Sequence, residues 1–127
     1  MPNFVIQIHR AKKLHWDFRI ELDGVLKSWA VPKEPPKEKG IKRLAIMVED
    51  HDLSYANFEG TIPEGSYGAG TVKIWDSGSY ELKERKKSEL IFVLHGKKLN
   101  GEYVLLKLKP STKFKGKNNW LFFRKRI

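Results

Sequence analysis

Residues 3–31, NFVIQIHRAKKLHWDFRIELDGVLKSWAV, decide the fold. Phe4, Ile6 and Ile8 alternate with Val5, Gln7 and His9; Trp16, Phe18, Ile20 and Leu22 alternate with His15, Asp17, Arg19 and Glu21. A period of two marks strands with one face in a core. Asp23-Gly24 follows directly. Both central positions of a type I′ turn need positive φ, which this pair tolerates, so Val25–Val31 is predicted as the returning strand of a hairpin.

The same pattern continues outward. Leu44–Glu49, Phe58–Ile62, Thr71–Asp76, Ser79–Lys83, Leu90–Leu94, Tyr103–Leu108 and Trp120–Lys125 are further predicted strands. Pro63-Glu64-Gly65, Ser77-Gly78, Asn100-Gly101 and Lys115–Asn119 supply turn chemistry between them. No long stretch keeps a helical period. About eight or nine short strands in one small chain predict an all-β fold, an antiparallel barrel or sandwich. A closed or nearly closed barrel is favoured because closure removes exposed strand edges. Pro32–Lys42, with three of the six prolines, is expected to be a stiff surface loop, and Asp50–Asn57 to form one helical turn.

The chain of 127 residues fits one domain, 1–127, with one core. At 40% hydrophobic and 12% aromatic residues it has the means to bury that core. The absence of cysteine excludes disulfides, thiolate metal sites and cysteine nucleophiles. Leu44–Val48 and Leu90–Leu94 are the longest apolar runs, far short of a membrane span, and no apolar signal segment precedes the first strand. The expectation is a cytoplasmic protein with no membrane partner.

The net charge of +10 is uneven. From Tyr103 to Ile127 there are eight basic residues and no acidic one. Such a segment attracts polyanions, nucleic acid above all, and Lys113, Lys115, Lys117 and Arg124 are its candidate DNA contacts. A solvated, solubilising face is the alternative.

A strand places His15, Asp17 and Arg19 on one side, with Trp16, Phe18 and Ile20 facing the core. The hairpin return brings His9 beside them. Two imidazoles and a carboxylate form a borderline-to-hard ligand set that leaves positions open for water or substrate. Mn²⁺, Zn²⁺ and Fe²⁺ all suit it, and so does the simpler reading of solvent-facing residues on a half-buried strand. His51 lies just past a strand end, where a side chain with a pKa near neutrality can move a proton or bind phosphate. Gly60–Gly70 holds four of the ten glycines, as expected for tight corners of a small barrel. His95 has no companions of this kind and is given no role.

The run from His9 to Arg19, Asp23-Gly24-Val25-Leu26 with Ser28–Lys33, Val48–His51, Tyr55 with Phe58-Glu59-Gly60, Ile62–Gly70 and Ile74-Trp75-Asp76 together resemble the 3′-phosphoesterase domain of DNA ligase D. The likeness covers nearly the whole chain, which looks like a stand-alone version without ligase and polymerase modules. It implies a small β-barrel with its active site in a surface groove, removing 3′-terminal ribonucleosides and 3′-phosphates from DNA or primer-template ends. By matching position, His9, His15 and Asp17 are implied metal ligands, with Mn²⁺ favoured and Zn²⁺ or Co²⁺ as alternatives. Arg19 and His51 are implied contacts of the scissile phosphate, and with Tyr55 the catalytic residues. Ser28, Lys33 and Arg43 match positions linked to phosphate binding or activity, and Gln7 stands one strand step behind His9. A separate ligase or polymerase is the implied protein partner. Many members carry charged residues upstream of the first histidine; eight residues precede His9 here, so those contributions are not expected.

Two other readings follow from the residues alone. One is a non-haem Fe(II) oxygenase, whose facial triad also uses His-x-Asp with a distant His. The other is a non-catalytic nucleic-acid-binding barrel.

Overall fold

The computed structural model describes residues 1–126. Its strands are β1 (Asn3–Arg10), β2 (Leu14–Leu22), β3 (Val25–Val31), β4 (Lys42–His51), β5 (Gly60–Ile62), β6 (Gly70–Lys86), β7 (Glu89–His95), β8 (Asn100–Lys107) and β9 (Asn119–Arg124). A 3₁₀ turn, Leu53–Asn57, separates β4 from β5. The order is β1-β2-β3-β4-β9-β8-β7-β6, and β1 pairs with β6 to close an eight-stranded antiparallel barrel. β5 adds to the start of β6 as an extra strand. No described helix is long and apolar enough to cross a membrane.

The hairpin forms where the alternation places it. Asp23 (φ 57°) and Gly24 (φ 78°) are the left-handed pair, and β3 spans Val25–Val31. Phe4, Ile6, Phe18, Ile20, Trp29, Val31, Phe92, Tyr103 and Phe122 fill the interior. Phe18 is central, with its ring 4.7 Å from Phe122 and 5.7 Å from Phe92 between centroids. Such offset aromatic contacts add to the stabilisation from burial.

Three expectations are corrected. Ser77-Gly78 is no turn: Gly70–Lys86 is one strand of 17 residues that pairs with β1 in its first half and β7 in its second. Gly78 sits where the two pairings meet, and a Cβ there would run into the carbonyl oxygen of His95. The glycine serves close backbone approach at a barrel corner. Asn100-Gly101 lies inside β8, and the real turn is Gly96–Leu99, where Gly96 N–H donates to Leu99 O at 2.9 Å. Buried Asp76 holds that turn by accepting from the N–H groups of Lys97 (2.8 Å), Lys98 (3.2 Å) and Leu99 (2.8 Å). The proline-rich loop is not purely a surface feature either. Pro35 and Pro36 are buried, and Tyr103 Oη, inside the barrel, donates to Pro36 O at 2.8 Å.

Candidate active site

The β1–β2 register pairs His9 with His15 and Gln7 with Asp17, and the β2–β3 register pairs Asp17 with Ala30 and Arg19 with Ser28. Because side chains alternate, these positions share the barrel's outer wall. The chain leaving β4 crosses that wall through Leu53–Asn57 to β5. A polar face that alternation alone would leave wet is therefore covered: Gln7, His9, Asp17, Arg19 and Ser28 are all buried.

Asp17 is the centre. Its Oδ2 lies 3.6 Å from His9 Nδ1 and 3.4 Å from Arg19 Nη2, and its Oδ1 lies 3.3 Å from His15 Nε2. One donor atom from each of His9, His15 and Asp17 falls within 4.8 Å of the others. His9 Nε2 is 2.8 Å from Gly68 O, and His15 Nδ1 is 3.1 Å from Lys13 O. A carbonyl can only accept, so each of those ring nitrogens carries the proton. The opposite nitrogens, His9 Nδ1 and His15 Nε2, then present lone pairs beside a carboxylate. With both rings neutral, three electron-rich atoms face one another and suit a cation between them, and the main-chain carbonyls favour the tautomers a metal would require. Without an ion, a proton on His15 Nε2 makes the hydrogen bond to Asp17 instead. The donor set fits a divalent ion.

Arg19 is held from two sides. Its Nε donates to Gln7 Oε1 at 2.7 Å and its Nη1 to Ser28 Oγ at 2.8 Å. Gln7 in turn donates through Nε2 to the carbonyls of Tyr55 (2.9 Å) and Phe58 (3.1 Å), which fastens the covering segment to the wall. The Tyr55 ring stacks between others, its centroid 4.5 Å from His51 and 4.9 Å from Phe58, and Arg19 Cζ lies 5.0 Å from it. A groove of about 420 Å³ runs over the group, lined by His9, His15, Asp17, Arg19, His51, Tyr55, Tyr67 and Gly68 among others.

The electrostatics follow from this packing. Burial raises the Asp17 carboxyl, but the hydrogen bond with His15 and the charges of Arg19, His15 and His9 outweigh it, so its pKa falls below the usual value. The hydrogen bond to Asp17 raises the His15 imidazole in spite of burial. Burial, assisted by Arg19, lowers His51. Burial raises the Tyr55 phenol, so it stays a neutral donor.

The structure thus brings together Gln7, His9, His15, Asp17, Arg19, Ser28, His51 and Tyr55. It places Ser28 under Arg19, fully buried and donating to Leu26 O at 3.1 Å, so it touches the arginine and not the groove. Lys33 and Arg43 line a neighbouring groove on the outer wall, with Lys42, Lys113 and Phe114. Arg43 Nε donates to Glu34 O at 2.8 Å. Lys115 and Lys117 are exposed on the β8–β9 loop. Arg124 stands apart from them at the far end of β9, where its Nη1 donates to Lys37 O at 3.0 Å. His95, given no role, pairs through Nε2 with Glu81 Oε2 at 2.7 Å across β6–β7. Sequence reasoning missed the Gly68 carbonyl, the Phe58 ring and Tyr67. The glycine cluster around Gly68 was the available signal, but only the fold shows that it leans on His9.

A closed barrel bearing a histidine–carboxylate group and a braced arginine in an outer groove has the parts that a metal-assisted hydrolase of phosphate esters uses. The family model for the DNA ligase D 3′-phosphoesterase domain matches residues 7–107, and the chain belongs to this family. It is 47% identical over 127 residues to the multifunctional non-homologous end joining protein LigD of Pseudomonas aeruginosa, covering 96% of this chain and 15% of that protein. It is 52% identical over 108 residues to the LigD DNA repair protein of Mycobacterium tuberculosis, covering 82% of this chain and 14% of that protein. The LigD of Mycolicibacterium smegmatis is 46% identical over 132 residues, covering 95% of this chain and 16% of that protein. The chain therefore spans about one seventh of the length of these relatives.

Proposed function

We propose that residues 1–127 form one metal-dependent phosphoesterase unit that heals DNA 3′ ends, removing a terminal ribonucleoside and then the remaining 3′-phosphate. The observation that carries this reading is the convergence of His9 Nδ1, His15 Nε2 and Asp17, with both tautomers favoured by main-chain carbonyls. These three residues would hold the ion, with Mn²⁺ favoured by the family resemblance and Zn²⁺ or Co²⁺ also suited to the donors. When bound, a divalent cation polarises a phosphoryl oxygen and eases deprotonation of water.

The chain's own groups do the rest. Arg19, braced by Gln7 and Ser28, cannot swing away, and its charge offsets that developing on the phosphate. Ser28 acts on the phosphate only through Arg19. His51, whose pKa is lowered by burial and, secondly, by the Arg19 charge, donates a hydrogen bond to the phosphate or the leaving oxygen, and a bound dianion offsets the Arg19 contribution. The Tyr55 ring keeps His51 and Arg19 in place. Lys33 and Arg43 take the phosphates flanking the end, and Lys113, Lys115 and Lys117 the backbone beyond. The substrate is a DNA or primer-template 3′ end, the working partner a ligase or polymerase, and the compartment the cytoplasm.

The direct test incubates the protein and Mn²⁺ with a primer-template ending in one ribonucleotide and resolves products by 3′-end chemistry. Conversion to a 3′-phosphate and then a 3′-hydroxyl is expected. Turnover that persists after exhaustive chelation would overturn the metal role, and DNA binding without product would leave a cationic binding barrel.

A further inference from the structure

Of the aromatic side chains lining the groove, Tyr67 has no partner there. It is 88% exposed, the one large aromatic so exposed among the described residues. Tyr55 is committed to Arg19, His51 and Phe58. Tyr67 is also not a loose loop tip. The β5–β6 loop is folded on itself, with Ser66 N–H donating to Pro63 O (3.2 Å) and Ala69 N–H to Ser66 O (3.1 Å). Gly65 (φ 87°) and Gly68 (φ 76°) take the left-handed bends on either side. The next residue, Gly68, accepts from His9. The Tyr67 backbone is therefore held next to the glycine whose carbonyl clasps His9 of the metal-ligating group.

We propose that Tyr67 is the stacking platform for the base of the nucleotide whose 3′ oxygen carries the scissile phosphate, the terminal one on a 3′-phosphate end; this rests on the phosphoesterase reading above. A phosphate gripped by Arg19 and His51 fixes one end of that nucleotide but not its base. The groove wall made by Ile62, Tyr67 and Gly68 faces the substrate from the β5–β6 side, while His51 and Tyr55 come from β4 and the 3₁₀ turn. A free aromatic face accepts any base, because every base has a π-face, so the stack gives grip without sequence preference. That suits an enzyme that must act on ends of any sequence.

The test is a cycle between side chain and base. Wild type, Tyr67→Ala and Tyr67→Phe are assayed on a 3′-phosphate primer-template whose terminal nucleotide is either natural or abasic. On the natural end, Tyr67→Ala raises KM about 30-fold, the middle of the range for one base on one aromatic ring, with kcat within about twofold. Tyr67→Phe restores KM, since stacking needs the ring and not the hydroxyl. On the abasic end, wild type and Tyr67→Ala have the same KM. An unchanged KM for Tyr67→Ala on the natural end would overturn the proposal. So would a loss of equal size on the abasic end, or weaker Mn²⁺ binding, because each would mean that Tyr67 only shapes the loop around His9. If the wild type releases no phosphate from either end, the phosphoesterase reading falls. The stacking question is then answered by anisotropy with the same two oligonucleotides, where Tyr67→Ala must lose affinity only for the one with a terminal base.

Discussion

Arg19 Nη1 meets Ser28 Oγ at 2.8 Å across directly paired positions of β2 and β3, and neither residue is more than 4% exposed. A guanidinium this deep needs every acceptor it has, because a buried charge-assisted hydrogen bond is costly to leave unmade. Ser28→Ala is expected to cut phosphate release about tenfold while Mn²⁺ binding, followed by electron paramagnetic resonance, stays unchanged. A Ser28→Ala enzyme with full kcat would show that Gln7 alone holds the arginine.

Asp17→Asn replaces a charged acceptor between two imidazoles with a neutral amide. The loss in Mn²⁺ affinity and activity should exceed the roughly 10–100-fold that removing an outer hydrogen-bond partner of a metal ligand costs. The barrel should remain folded by circular dichroism. Chelation of the wild type should reproduce the defect, and added Mn²⁺ should reverse it in the wild type alone.

Removing Lys113, Lys115 and Lys117 together should weaken DNA binding about equally for all sequences. Every phosphate left unneutralised flattens the plot of log affinity against log salt by about 0.9 for duplex DNA, so a change of up to about 3 is expected. Fluorescence anisotropy at several salt concentrations measures it, and an unchanged slope would remove the β8–β9 loop from the binding surface.

The fold should fail in alkali before it fails in mild acid. Burial pushes the phenols of Tyr80 and Tyr103 up to about 12. Unfolded tyrosines ionise near 10, so between those values the folded state binds more protons than the unfolded one. Their contribution is complete below pH 10 and is lost as pH rises through about 12, to the extent of about 2–3 kcal/mol each. Urea unfolding at pH 9 and pH 11.5 should show the fall, and Tyr80→Phe with Tyr103→Phe should flatten it.

Asp76 has no part in the proposed chemistry, yet it is buried and accepts three backbone N–H groups of the Gly96–Leu99 turn. Asp76→Ala leaves those donors without an acceptor and should cost about 3 kcal/mol or more of stability, read from the urea midpoint. Activity per folded molecule should not change.

The β2–β3 hairpin was fully legible because Asp23-Gly24 and the alternation on both sides state one register. The same alternation placed Asp17 and Arg19 beside His15, and the return from β1 to β2 through residues 11–13 brought His9 opposite. What the pattern could not show was the cover. That Leu53–Asn57 folds back over Gln7 and Arg19 depends on contacts distant in sequence, so the pattern could not show that Ser28 lies buried against the Arg19 guanidinium. Ser77-Gly78 misled because a glycine that permits a turn also permits two backbones to touch inside a strand. Lys33 and Arg43 line a neighbouring groove, and the proline loop turns inward at Pro36 to accept from Tyr103, neither of which a local rule predicts.

The seam between β1 and β6 has a last consequence. β1 is both the stave that shuts the barrel and the carrier of His9, while His15 and Asp17 sit on the next stave. A chain with that seam open keeps the β1–β2 register that aligns the three donors but lacks the Gly68 carbonyl that orients the His9 ring. An ion held there as proposed would bind the latched cylinder, with His9 clasped, more tightly than the opened one, so Mn²⁺ should raise the melting temperature.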